Sequence, residues 1–179
     1  MNSIKIKFSW SIFLSMLLFL LCACSTSTGS QTSSQQSSPT AMESQIAQTV
    51  FKAINQSRAA NGLPALKWSN ALAESARQHD LAMETANTLS HQLPGEADLG
   101  TRESQQGVKW TFAAENIGET TEQSANGALA LHQAMMNEKP PDDGHRQNIL
   151  SKNANIVGVA ILIDQQHEKL WLTEDFAQV

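Results

Sequence analysis

From Met42 onward the apolar positions recur with a helical period. Ile46, Val50 and Ile54, with Ala47 and Phe51 beside them, return every three or four residues and predict one amphipathic helix, which Asn61-Gly62 and Pro64 end. A second helix is expected after Ser69 or Asn70, both good caps, with Leu72, Ala76, His79 and Met83 on one face toward about Leu89. The segment from Pro94 to Gly107 is rich in glycine and charge and reads as a loop with at most a short helical turn. Phe112 to Gly118 fits a short strand or a turn. A third helix is expected from about Ser124 to Glu138, with Ala128, Leu131 and Met135 at helical spacing, and the restriction on Lys139 before Pro140 ends it. The period then changes. Ile156 to Ile163 is a nearly continuous apolar, β-branched run, as expected of a strand covered on both faces, and Leu170 to Ala177 reads as its hairpin partner across Asp164 to Lys169. No internal repeat is present. Helices first and strands last predict an α+β fold, with helices covering a small antiparallel sheet.

The N-terminal part has a different pattern. Lys5 and Lys7 precede an apolar run from about Phe8 to Leu21, too short to span a bilayer comfortably and suited to an export signal over residues 1–23. Leu21-Cys22-Ala23-Cys24 resembles a bacterial lipobox, which implies lipidation of Cys24 and a membrane anchor; Cys22 competes less well because the bulky Leu21 precedes it. An ordinary soluble secretion signal is the alternative. Residues 24–41 then form a Ser/Thr/Gln-rich tether with almost no apolar side chain to bury, leaving 42–179 as the globular domain. Both cysteines lie at the leader, so the domain must be stable without a disulfide. Removing the two leader lysines takes the formal charge from -5 to -7, which argues against a nucleic-acid partner.

Candidate chemistry centres on Met135 to Leu150, where a helix carrying Glu138 at its end is broken by Pro140 and Pro141 before Gly144 and His145. Of the five histidines, His91 and His145 sit among polar neighbours in predicted loops, His79 and His132 fall on helix faces as core or boundary residues, and His167 lies in the hairpin turn. Two loop imidazoles brought together suit a divalent metal such as zinc and leave coordination positions for water or a ligand. Glu115, in the apolar stretch Phe112 to Ile117, needs a partner, and a carboxylate beside an imidazole orients the ring or acts as a base.

Taken in order, several short motifs resemble the CAP superfamily, also called the SCP or cysteine-rich secretory, antigen 5 and pathogenesis-related-1 family, in its short bacterial form. They are Asn55-Gln56-Ser57-Arg58, Asn61 to Leu66, Ser90-His91, Ala114-Glu115-Asn116-Ile117, Gly144-His145-Arg146-Gln147-Asn148-Ile149-Leu150, Val157-Gly158-Val159 and Asp175-Phe176-Ala177. The resemblance implies a three-layer α-β-α sandwich around a small central sheet. It also implies a cleft with two histidines and two acids, which fall on His91, Glu115, Glu138 and His145, the histidines holding a divalent metal, often zinc. The chain departs from the pattern at Met135, where Trp is common, and at the Pro140 to Asp143 insertion. That insertion leaves Asp142 or Asp143 as the second acid if Glu138 points to solvent.

Two functions follow from these expectations. One is a non-enzymatic module of the cell envelope, anchored through Cys24 and facing the periplasm or exterior, whose cleft binds a lipid, glycan, peptide or protein partner. The other is a metal-dependent hydrolase, a peptidase or cell-wall enzyme, with Glu115 or Glu138 as general base. The lack of a third obvious protein ligand and of a nucleophile-base pair favours binding.

Overall fold

The computed structural model describes residues 38–179, so the leader, Cys24 and the tether up to residue 37 lie outside the described residues. Helix α1 (Ala41–Ala60) opens on a capping box in which the Glu43 N–H donates to the Thr40 hydroxyl at 3.1 Å and the Thr40 N–H to the Glu43 carboxylate at 2.7 Å. It closes with the Leu63 N–H on the Arg58 carbonyl and Gly62 at φ +72°, a left-handed turn that glycine takes without cost. Helix α2 (Asn70–Ala86) is capped by the Ser69 hydroxyl and stops short of Leu89 because Asn87 turns left-handed.

The segment expected to be a loop contains a seven-residue helix, α3 (Leu99–Gln105), capped by Asp98. Apolar periodicity missed it for a physical reason: the side chains that α3 buries are Arg102 and Glu103. Strand β2 (Phe112–Thr120) decides the strand-or-turn ambiguity in favour of a strand. Helix α4 (Ala125–Asn137) ends with Glu138 as its C-cap. His145, expected in a loop, instead stands in the first turn of a short helix, α5 (Gly144–Ile149). Strands β3 (Ile156–Asp164) and β4 (Lys169–Gln178) form the anticipated hairpin.

The sheet order, with β1 (Lys67–Trp68), is β1-β3-β4-β2. The two-residue β1 is too short to show alternation in sequence, and it runs parallel to β3, so the sheet is mixed where an antiparallel one was expected. Alternation along the strands sorts the layers. Val157, Val159, Ile161, Leu172 and Phe176 pack with Ile46, Val50 and Ile54 of α1, Ala128 of α4 and Ile149 of α5. Leu162 and Trp171 point the other way, toward Met83 of α2. This is the three-layer α+β arrangement. Gly158 lets α2 sit directly on β3, since a Cβ there would lie 2.1 Å from the Ala73 nitrogen and 2.3 Å from the Leu72 carbonyl carbon. Among the described residues no helix is long and apolar enough to cross a membrane.

Candidate functional site

Strand β2 is the last strand of the sheet, and a cavity of about 400 Å³ lies along it, lined by His91, Glu115, Glu138, Asp142, Gly144, His145 and Asn148. All four residues singled out for the cleft therefore line one space. They come from both layers. His91 follows α2, while Glu138 caps α4 and His145 opens α5.

Each histidine is paired with one of the acids. The Nδ1 of His91 is 2.8 Å from Glu115 Oε1, and the Nδ1 of His145 is 2.5 Å from Glu138 Oε1. A carboxylate on Nδ1 selects the tautomer with the proton there and leaves Nε2 as the lone-pair nitrogen. The histidines are accessible, with side chains 58% and 34% exposed, while Glu115 is buried at 3%. Glu138 turns into the cavity; its Oε2 also accepts the His145 N–H at 3.0 Å. Neither Asp142 nor Asp143 takes that place. Asp142 lies exposed on the rim, and Asp143 is buried and accepts from Gln147 at 2.7 Å.

The asparagines of the two motifs lock the halves of the cleft together. Asn116 Nδ2 donates to the His145 carbonyl at 3.2 Å and to Glu174 Oε2 at 2.9 Å, and Asn148 Nδ2 donates to Asn116 Oδ1 at 2.9 Å and to the Glu115 carbonyl at 3.2 Å. Arg58, buried in α1, donates to the carbonyls of Ile149 and Ser151, both at 2.8 Å, and so fixes the far end of α5. These roles are invisible in sequence because they depend on carbonyls that only the fold brings near.

Beneath Glu115 lies a layer that sequence reasoning missed. Arg102 Nη2 donates to Glu115 Oε2 at 2.8 Å, His79 Nδ1 is 2.7 Å from Glu96 Oε1, and His79 Nε2 stands 3.8 Å from Glu115 Oε2. Burial opposes the charge on Glu115, but the His91 bond and the Arg102 charge outweigh it and hold the carboxyl below its usual range. Glu103 differs. Neither of its oxygens has a hydrogen-bond partner, and burial pushes its pKa up to about 8 against the Arg102 charge. Asp175 is raised well above the usual range by burial and the neighbouring Glu115 charge. His79 was read as a core or boundary residue and is fully buried; His132 is buried too, with Nε2 3.0 Å from the Ser57 hydroxyl and Nδ1 3.6 Å from Glu174. That order is the order of a catalytic triad, but Ser57 lies inside α1, where backbone N–H groups are committed to the helix and supply no oxyanion donors. His167, in the hairpin turn, is partly covered, and its Nδ1 is 2.6 Å from Asp164 Oδ2.

The donor set suits an open metal site with two imidazole nitrogens; among the described residues no group of three or more His, Cys, Asp or Glu gathers as a closed site would require. A second cavity, of about 330 Å³, lies between α1 and α2 and has no histidine in its lining; its Glu43 and Arg77 are 3.9 Å apart, and Glu43 also caps the Ile163 N–H at 2.9 Å.

Comparison with known proteins agrees with this architecture. An extracellular protein containing an SCP domain from Bacillus anthracis superposes with a TM-score of 0.66 at 27% identity, over 80% of this chain and 45% of that one. A cysteine-rich secretory protein from Staphylococcus aureus gives 0.59 at 20% identity, over 79% and 40%. An outer surface protein from Borrelia burgdorferi gives 0.64 at 15% identity, over 75% and 92%. The chain thus spans less than half the length of the first two. No curated protein sequence matches. The model of the cysteine-rich secretory protein family, CAP, matches residues 51–176, from the middle of α1 into β4. With that match covering most of the domain, the chain belongs to the CAP family.

Proposed function

We propose that this protein is a non-enzymatic, surface-tethered CAP module whose β2 cleft holds a divalent cation, zinc by preference, between His91 and His145 and uses it to bind a polar group of a lipid, glycan, peptide or protein partner. One observation carries the reading: two accessible imidazoles line one cavity, each with Nδ1 held by its own carboxylate, so both Nε2 atoms are left as ligating nitrogens. A bound cation supplies Lewis acidity and open coordination positions. Glu115 and Glu138 are occupied in orienting the histidines, which leaves neither free as the general base that a hydrolase needs and favours binding. The envelope location rests on the basic-apolar leader and the lipobox-like Leu21 to Cys24, and it agrees with the extracellular and outer-surface character of the similar proteins.

Zinc titration of the full chain by calorimetry is expected to show one site. His91→Ala and His145→Ala should each abolish it, and Glu138→Ala should weaken it about 10- to 100-fold by freeing the His145 ring. Undiminished zinc uptake in both histidine variants would remove the cleft as the site. Cys24→Ala should move the protein from the membrane to the soluble fraction, and an unchanged partition refutes the anchor.

A further inference from the structure

The two arms of the cleft are supported differently. Glu138 holds the His145 ring from a helix end and makes its remaining contacts with the backbone N–H groups of His145 and Arg146. Glu115 holds the His91 ring from within the protein, and its second oxygen is bonded by a buried guanidinium. That guanidinium belongs to α3, the helix that the sequence pattern conceals. Arg102 Nη2 also donates to the His91 carbonyl at 3.3 Å, and its Nε stands 3.7 Å from Glu96, which holds His79. One side chain thus touches the backbone of His91, the carboxylate that orients its ring, and the acid behind that layer.

We propose that Arg102 is the positioning residue of the His91 arm: by occupying Glu115 Oε2 from below and the His91 carbonyl from the side, it turns Glu115 Oε1 to the His91 Nδ1 and so presents Nε2 to the cavity. The alternatives are less well supported. An uncharged side chain leaves the buried Glu115 carboxylate without its cation, and a group in that position rotates, takes up a proton or draws in water. Both bonds leave one nitrogen, Nη2, whose two hydrogens the guanidinium plane holds in fixed directions; lysine keeps the charge but carries it on a freely rotating ammonium at the end of a flexible stem. Among the described residues no arginine or lysine side chain pairs with Glu138, so His145 serves as an internal control within the same cavity.

The inference rests on the cleft described under the proposed function, and the test separates their failures. In the metal-free full chain, nitrogen-15 spectra of the imidazoles at one fixed alkaline pH read the tautomer of His91 and His145 directly. The wild type should show the Nδ1–H form at both. In Arg102→Gln the Nδ1–H population of His91 should fall while His145 stays as in the wild type, and zinc Kd should rise about 10-fold, the lower end of what loss of an outer partner costs. Arg102→Lys should fall between the two. A His91 tautomer unchanged in a folded Arg102→Gln protein overturns the proposal. Should that variant not fold, Arg102→Lys decides: a reduced Nδ1–H population at His91 supports it, and none overturns it. Absence of zinc binding in the wild type would sink the cation reading of the cleft, and the tautomers would still decide the role of Arg102.

Discussion

The two faces of the sheet are built on opposite principles. Toward α1, α4 and α5 the strands present an almost unbroken apolar surface, with Val50, Ile54, Ile149 and Phe176 fully buried in one cluster. Toward α2 and α3 the apolar clusters are smaller and the space between them is filled by His79, Asp80, Arg102, Glu103, Glu115 and Asp175. The first face is where stability is made. On the second, buried polar groups whose partners are incomplete lower stability, and they persist where a site needs rigid support. The cleft lies along β2, taking the His145 arm from the first layer and the His91 arm from the second.

The sharpest way to break that contrast is to open a cavity on the apolar face. Phe176→Ala should destabilise the chain by about 4 kcal/mol in chemical denaturation, because a fully buried ring leaves a void its neighbours cannot fill. A loss below 1 kcal/mol would mean that the apolar face is not the main source of stability. The polar face is tested by pH. Asp80 and Glu103 have pKa values of about 8, raised by burial, whereas unfolded carboxyls titrate near 4. Between those values the folded chain retains protons that the unfolded chain has lost. Stability therefore falls as pH rises through that window, by at most about 1.4 kcal/mol per pH unit for each group. Glu103→Gln removes one such group, so the variant should gain on the wild type steadily from pH 5 to pH 8. Parallel curves for the two proteins would show that Glu103 is ionised in the fold. The smallest effect belongs to the surface. Lys169 and Glu119 pair at 2.8 Å with both side chains partly exposed, and Glu119→Ala should change stability by no more than about 1 kcal/mol.

The legible part of this chain follows from the same contrast. Ile46, Val50 and Ile54 announce α1, and the run from Ile156 announces β3, because burying apolar side chains imposes a period that survives in the sequence. Helix α3 leaves no such trace, since it buries an arginine and a glutamate, and β1 is too short to alternate. His91 and His145 stood out through the company they keep in sequence. His79 did not, as a histidine on an apolar helical face has the same pattern whether it fills space or faces Glu96.

By itself, the sequence determined the three longer helices and the β3–β4 hairpin, because each is written in local periodicity, and its short motifs, through their resemblance to the CAP family, pointed to the four side chains of the cleft. Only the tertiary structure decided that Glu138 turns inward past the Pro140 to Asp143 loop. It also decided that each acid holds its own histidine, and that Arg102 stands beneath one arm and not the other. Those outcomes depend on distances between residues far apart in the chain, where a carboxylate accepts a hydrogen bond from whichever ring or guanidinium the packing of α3 and α5 against β2 brings within 3 Å.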